Sequence, residues 1–315
     1  MKWALLFILL LQTLLATSQQ RPFMRMMFYN TENFFDTKHD TLKNDLDFTP
    51  QGKMKWTYDK YLTKLKNLAK VIIGVGEWEP PEIVGLCEIE NRNVLNSLVK
   101  YTPLKAFDYG IIHRESPDVR GIDVAVLYRK DKFEVSSYNM FRIEEFKTRD
   151  IVYVKGCINK TDTVHVLVNH FPSRLGGELN SEYKRKIVAG YLRKIVDSIF
   201  VTNSKASIII AGDFNDEPTN ESLSETLRAK LSCENPNDTS LYNLSYYLQD
   251  VKKQGSLKYE GQWTLIDQFI VSGALLNKHN KIFTAPTKFI FTMHRFLWNR
   301  ITNIWATCQN EHTTE

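Results

Sequence analysis

Cysteine is scarce in this chain, with four among 315 residues, and none of the four stands in a pair. Cys87, Cys157, Cys233 and Cys308 lie too far apart for a zinc site or a Cys-x-x-Cys redox motif. An oxidising compartment would permit a disulfide, but this scatter does not require one. Cys87 stands in an apolar stretch and reads as a plain buried thiol. Internal repeats and low-complexity tracts are also missing, which excludes a repeat architecture. Beyond the first twenty residues no run is long and apolar enough to span a bilayer, which takes about 20 residues. Charge of one sign is not dominant either. Lys and Arg number 41 against 36 Asp and Glu, and the two signs are interspersed. The net charge of +5 leans towards anionic partners such as nucleic acid or phosphorylated lipid, and carries little weight at this length.

What is present begins with a short leader. Lys2 supplies a positive start, Trp3 to Leu15 is apolar, and Ala16-Thr17-Ser18 offers small residues for cleavage. That layout predicts a signal peptide over 1–18 and an exported protein, periplasmic or secreted. No cysteine follows the site to carry a lipid anchor. The domain itself is expected over 19–286. A hydrophobic content of 43% suits a sizeable core.

Short apolar, β-branched runs alternate with helix-period segments. Strands are predicted at 25–30, 82–90, 121–128, 163–169, 207–212 and 265–271. From Thr57 onwards Tyr58, Tyr61, Leu62, Leu65, Leu68, Ala69, Ile72 and Ile73 belong to one helical stripe, which stops near Gly74 and Gly76. From Ser181 onwards Ile187, Tyr191, Leu192, Ile195, Val196 and Ile199 make another. Strands with helices returned between them predict a layered α/β domain.

The polar residues of interest sit where apolar runs end. Asn30 closes the first strand, Glu88 the second, Asn169-His170 a third and Asp213-Phe214-Asn215 a fourth, while Asp267 falls inside a fifth apolar run. Singly, most have a plain structural explanation: strand-end asparagines usually bond their own backbone, and a lone histidine is usually a satisfied packing residue. Asp267 is the exception, because a carboxylate within a buried strand is costly unless it is paired. Together they supply hard oxygen ligands, an acid able to activate water, and groups able to stabilise a charged phosphoryl transition state.

In this order (Asn, Glu, Asn-His, Gly-Asp-Phe-Asn, Ile-Asp) the chain resembles the endonuclease/exonuclease/phosphatase superfamily, and its longer strings at 85–91, 120–129, 169–177 and 255–272 resemble the exported bacterial branch. The resemblance runs from about Met26 to Pro286. It implies a four-layer α-β-β-α sandwich, two mixed sheets flanked by helices. It also implies roles: Asn30 and Glu88 hold Mg2+, with Mn2+ or Ca2+ as alternatives; His170 contacts the scissile phosphate; Asp213 activates water; Asn215 orients the phosphate; Asp267 bonds a second, C-terminal histidine. Asn169 and Arg174 are the expected substrate contacts, a surface-loop role for Arg174 being equally open. Asp123 reads first as structural. The implied substrate is a phosphodiester, nucleic acid being the first candidate, and relatives with this core also act on sphingomyelin and inositol lipids. Neither a base-reading helix nor a stacking platform stands out; Trp56, Trp78 and Trp263 could stack on bases, and are assigned by default to core or surface packing. A monomer without a stable protein partner is expected.

One motif of the family is missing. No Ser-Asp-His follows Asp267, and Thr292-Met293-His294 lacks the preceding acid. The tail from 287 to 315 has neither clear period nor turn chemistry. One permitted choice of codons, read in another frame from Phe289, yields a string that resembles the family's approach to its last motif. The expectation is therefore a frameshift near 287–289, a sheet lacking its final strands, and weak or absent activity of the chain as written. Catalytic inactivity, or phosphatase or lipid phosphodiesterase activity on the same fold, are the alternatives. Coding DNA that encodes no such string in that frame would exclude the frameshift.

Overall fold

The structure is a computed structural model that describes residues 24–76, 79–158, 162–174, 177–259, 261–280 and 282–285. The predicted leader, Trp78 and the tail around His294 lie outside the described residues. Thirteen strands and four α-helices are found among the described residues. The helices are α1 (Tyr58–Val75), α2 (Arg92–Lys100), α3 (Glu178–Thr202) and α4 (Tyr246–Asp250). β1 (Met26–Phe34), β2 (Ile83–Ile89), β3 (Tyr109–His113) and β4 (Asp123–Arg129) form one sheet in the order β1-β2-β4-β3. The second sheet joins β5 (Phe133–Phe141), β6 (Ile151–Ile158), β7 (Asp162–His170), β8 (Ser207–Asp213), β9 (Ala229–Lys230), β10 (Leu241–Asn243) and β13 (Asp267–Ser272), in the order β5-β6-β7-β8-β13-β10-β9. β11 (Leu257–Tyr259) and β12 (Gln262–Thr264) make a separate hairpin. All six predicted strands and both predicted helices are present, within a few residues of their expected bounds.

The layers arise from side-chain alternation along the strands. In β2, Val84 and Leu86 pack with Leu65, Leu68 and Ile72 of α1, whereas Ile83 and Cys87 turn inward to meet the second sheet. In β7, Leu167 packs with Val188, Leu192 and Val196 of α3, whereas Val166 and Val168 turn inward. Helix, sheet, sheet, helix is therefore the order of the layers, as the resemblance implied. Each fully buried aliphatic side chain contributes roughly 1.5–3 kcal/mol relative to exposure, so these three apolar layers fix where the strand ends lie.

The pairing of three strands in the second sheet sets the position of the polar residues. β7 and β8 run parallel with His170 opposite Asp213, and β13 runs antiparallel to β8 with Asp267 opposite Asp213. Five polar strand ends thus meet at one edge of the sandwich. Among the described residues β1, which carries Asn30, is an edge strand of its sheet.

Candidate functional site

The approach to the site from the first sheet is built from irregular backbone. The register between β2 and β4 shifts between Cys87 and Ile89, and that between β1 and β2 shifts between Asn30 and Phe34. Glu88 takes a left-handed conformation with φ 59°, as do Glu32 and Asn33 with φ 54° and 63°. Such a bulge re-aims a side chain that regular pleating would send elsewhere, and its strain must be held by neighbours. Here the neighbours are explicit: Thr31 Oγ1 donates to Cys87 O at 2.7 Å, and Asn33 N–H donates to Glu88 Oε2 at 2.8 Å. Asn30 Oδ1 accepts from Glu32 N–H at 2.8 Å, and Asn30 Nδ2 donates to Asp213 Oδ2 at 3.0 Å. That last bond ties the two sheets together at their polar ends.

The second sheet supplies the remainder. Asp213, 4% exposed, accepts Asn215 N–H at 2.9 Å on its other oxygen, and His170 Nε2 lies 3.8 Å from Asp213 Oδ2. Asn215 is itself left-handed (φ 49°) and donates through Nδ2 to Phe171 O at 3.0 Å. Asn169 is fully buried, donating to Ala211 O at 3.2 Å. Gly212 is required beside it, since a Cβ there would fall 2.5 Å from both Asn169 oxygens.

Asp267 corrects one expectation. Placed inside a strand by the apolar run, it is instead the first residue of β13 and is half-buried. The strand starts late because Ser256 Oγ accepts the N–H groups of both Ile266 and Asp267 at 3.0 Å, while Phe214 N–H takes Ile266 O. Its Oδ1 is nonetheless sealed from solvent without a hydrogen-bond partner among the described residues, as is Asn169 Oδ1.

The electrostatics are those of crowded acids. Burial pushes Asp213 up to about 6, opposed by the hydrogen bonds from Asn215 and Asn30 and reinforced by Glu88. Burial, followed by the Asp213 charge, raises Asp267 well above the usual carboxylate range; Glu88 and Glu32 add to it and Ser256 opposes it. His170 is driven the other way, well below the usual imidazole value, by burial and then by Arg149 and Arg120. Asp213 and Asp267 thus resist ionising together unless positive charge arrives.

The residues present fit the divalent cation that the fold family implies. Glu88 and Asn30 offer oxygens at one end of this cluster, and the raised carboxyls beside them would be relieved by a cation. Among the described residues no three His, Cys, Asp or Glu side chains stand close enough to enclose a metal. Magnesium does not need such a cage, since it is held through one or two carboxylates with waters completing the shell.

Several contributors had no clear sequence signal. Arg120 Nη2 lies 4.0 Å from Glu88 Oε1, and the cleft beside it is lined by Lys43, Asp45, Glu90 and Asn91. Burial, followed by Asp36, Asp45 and Asp40 against one opposing backbone bond, pushes Glu90 in that cleft up to about 8. Arg149 pairs with Asp118 at 3.0 Å and donates to Phe171 O, locking the loop after His170. Lys64 Nζ donates to Glu32 O at 2.6 Å and lies over the Trp56 ring. Of the residues that the sequence did single out, Arg174 is placed against the loop after β8, donating to Asn215 O at 2.7 Å with Asp216 3.5 Å away. Asp123, 2% exposed, lies 3.1 Å from His113 Nε2 and accepts Ser116 N–H at 2.8 Å, which is a loop-holding arrangement.

A model of the Endonuclease/Exonuclease/phosphatase family matches residues 25–304. No curated protein matches the chain. Among solved structures, truncated Caenorhabditis elegans TDP2 is similar at 19% identity, TM-score 0.51, over 70% of this chain and 80% of that one. The endonuclease/exonuclease/phosphatase from Bacteroides vulgatus is similar at 17% identity, TM-score 0.50, over 79% and 87%. A family protein from Bacteroides thetaiotaomicron gives 15% identity and TM-score 0.50 over 78% and 81%. At these identities the likeness shows the shared fold.

Proposed function

The chain belongs to the endonuclease/exonuclease/phosphatase family, and from that membership we propose that it is an exported hydrolase of phosphodiester bonds working with bound magnesium, manganese and calcium being the alternatives. Nucleic acid is the proposed substrate. The observation that supports this reading is the convergence of Glu88, Asp213 and Asp267 with Asn30, Asn169, Asn215 and His170 where strands of both sheets end. Structural carboxylates are normally separated or paired with cations; these are packed together, with two of them raised.

Each residue has a defined task. Glu88 and Asn30 would hold the cation, which when bound would supply Lewis-acid stabilisation of charge on the phosphoryl oxygens. Asp213, oriented by Asn30 and the Asn215 N–H, accepts a proton from the attacking water. His170, kept neutral by burial and the two arginines, offers a hydrogen bond rather than a charge to the phosphate. Asn215 orients the phosphate, Asn169, fully buried and bonded to Ala211 O, positions the neighbouring His170 rather than touching substrate, and Arg174 acts through Asn215, whose carbonyl it holds.

Asp267 Oδ1 is the position from which a second histidine would be oriented. The residues after it include His279, His294 and His312 but no Ser-Asp-His. The chain as written is therefore expected to turn over slowly, and the Asp267 oxygen, without a partner among the described residues, also favours a second reading, a non-catalytic member that keeps the cation site.

The test is hydrolysis by the purified chain of single-stranded DNA, RNA, sphingomyelin and an inositol phosphate, with magnesium and with EDTA. Slow oligonucleotide cleavage, abolished by EDTA and weakened steeply by added salt, is the expected result. Cleavage of monoesters alone would overturn the diesterase reading. Magnesium binding without any turnover would establish the non-catalytic one.

A further inference from the structure

Trp263 is a surface residue, one of the settings its sequence context left open. It is 42% exposed, on the β11–β12 hairpin, directly across from Lys258, whose ammonium lies 5.5 Å from the indole centroid. Leu257 and Thr264 form the next cross-strand pair and by alternation occupy the opposite face. The hairpin is rooted in the site, because Ser256, immediately before β11, bonds the backbone of Asp267. Asp267 stands four positions after Trp263, a reach of at most about 13–14 Å along extended chain. Just upstream Lys252 lies over the ring of Tyr247, and Lys252, Lys253 and Lys258 are all exposed. Aromatic planes interleaved with exposed ammonium groups are what a single-stranded nucleic acid needs, the rings for its bases and the lysines for its backbone.

We propose that Trp263 and Lys258 form a base-stacking arm, on which a nucleobase flanking the scissile phosphodiester of a single-stranded substrate rests. The assignment rests on the phosphodiesterase reading and names its substrate class. A membrane surface suits the arm less well, since its one exposed indole shares a face with a lysine and lacks the broad apolar surface that interfacial binding uses.

The experiment compares affinities by fluorescence anisotropy, in EDTA, for a labelled single-stranded thymidine oligonucleotide and for an abasic strand of equal length. Stacking on one ring predicts that the full-length chain prefers the base-bearing strand by about tenfold. Trp263→Ala is expected to bring that preference close to one, and Trp263→Phe to restore most of it. An unchanged preference in Trp263→Ala, or no preference in the unaltered chain, would overturn the proposal. So would Trp263-dependent binding of phosphatidylcholine vesicles without oligonucleotide binding. Because the ratio is measured without turnover, failure of the hydrolysis assays leaves it standing. Hydrolysis without base preference would defeat the stacking arm alone.

Discussion

Asp213→Asn is expected to lower phosphodiester turnover by about 10²- to 10⁴-fold, the range that a positioned general base supplies. The residue has no substitute nearby. Asn30 and the Asn215 N–H aim its two oxygens, and Asp267, the carboxyl opposite it, is itself raised well above the usual carboxylate range by burial and then by the Asp213 charge. Stability should scarcely move. The substitution removes a buried charge repelled by Glu88, and weakens two hydrogen bonds that each contribute about 1–3 kcal/mol when charged. These effects oppose each other. Kinetics on a labelled oligonucleotide, beside thermal unfolding of both proteins, separate a chemical defect from a folding one. Turnover within threefold of the unaltered chain would remove Asp213 from the chemistry.

Asp267→Asn should do two opposite things at once. Without bound cation, it is expected to stabilise the fold by about 1 kcal/mol, because a carboxyl whose sealed oxygen has no partner among the described residues, placed beside Asp213, disfavours folding once ionised. The sign comes from its raised pKa. Between the ordinary carboxylate pKa and the raised one the folded state binds more protons than the unfolded state, so the unaltered protein loses stability as pH rises through that window. The gap in favour of Asp267→Asn should therefore widen from about pH 4 towards neutrality and close in acid. Turnover should fall by at least about tenfold, since an amide orients an imidazole poorly and carries no charge to support it. A residue placed for packing alone would give neither the stability gain nor its pH dependence. Urea unfolding across that pH range in EDTA measures the first effect, and oligonucleotide kinetics the second.

The polar strand ends were legible because a run of buried β-branched residues that stops at an amide or a carboxylate announces itself. Asn30, His170 and Asp213 were found that way, and the structure places them together. What aims Glu88 was not legible: a left-handed residue at a bulge carries no signal when the residue is a glutamate. The start of β13 at Asp267 was hidden for a different reason. The group that ends the preceding loop is Ser256, ten residues before Ile266 across a hairpin, and no local pattern records that bond. β5 escaped because most of its residues are exposed and alternation is faint, and α2 because nine residues are too few for a clear stripe. Arg120 and Arg149 are brought in by tertiary packing alone. For Trp263 the sequence left core packing, surface packing and base stacking open, and only the hairpin, which keeps it 42% exposed, decides for the surface.

The central claim is that the crowded carboxylates form a cation-dependent site. Titrating magnesium into the full-length chain while monitoring its unfolding midpoint tests this without relying on turnover. The account predicts a midpoint that climbs with magnesium, as binding to the folded state alone requires, and a Glu88→Gln variant that folds but barely responds. An equal response in both proteins, or none in the unaltered chain, would contradict it.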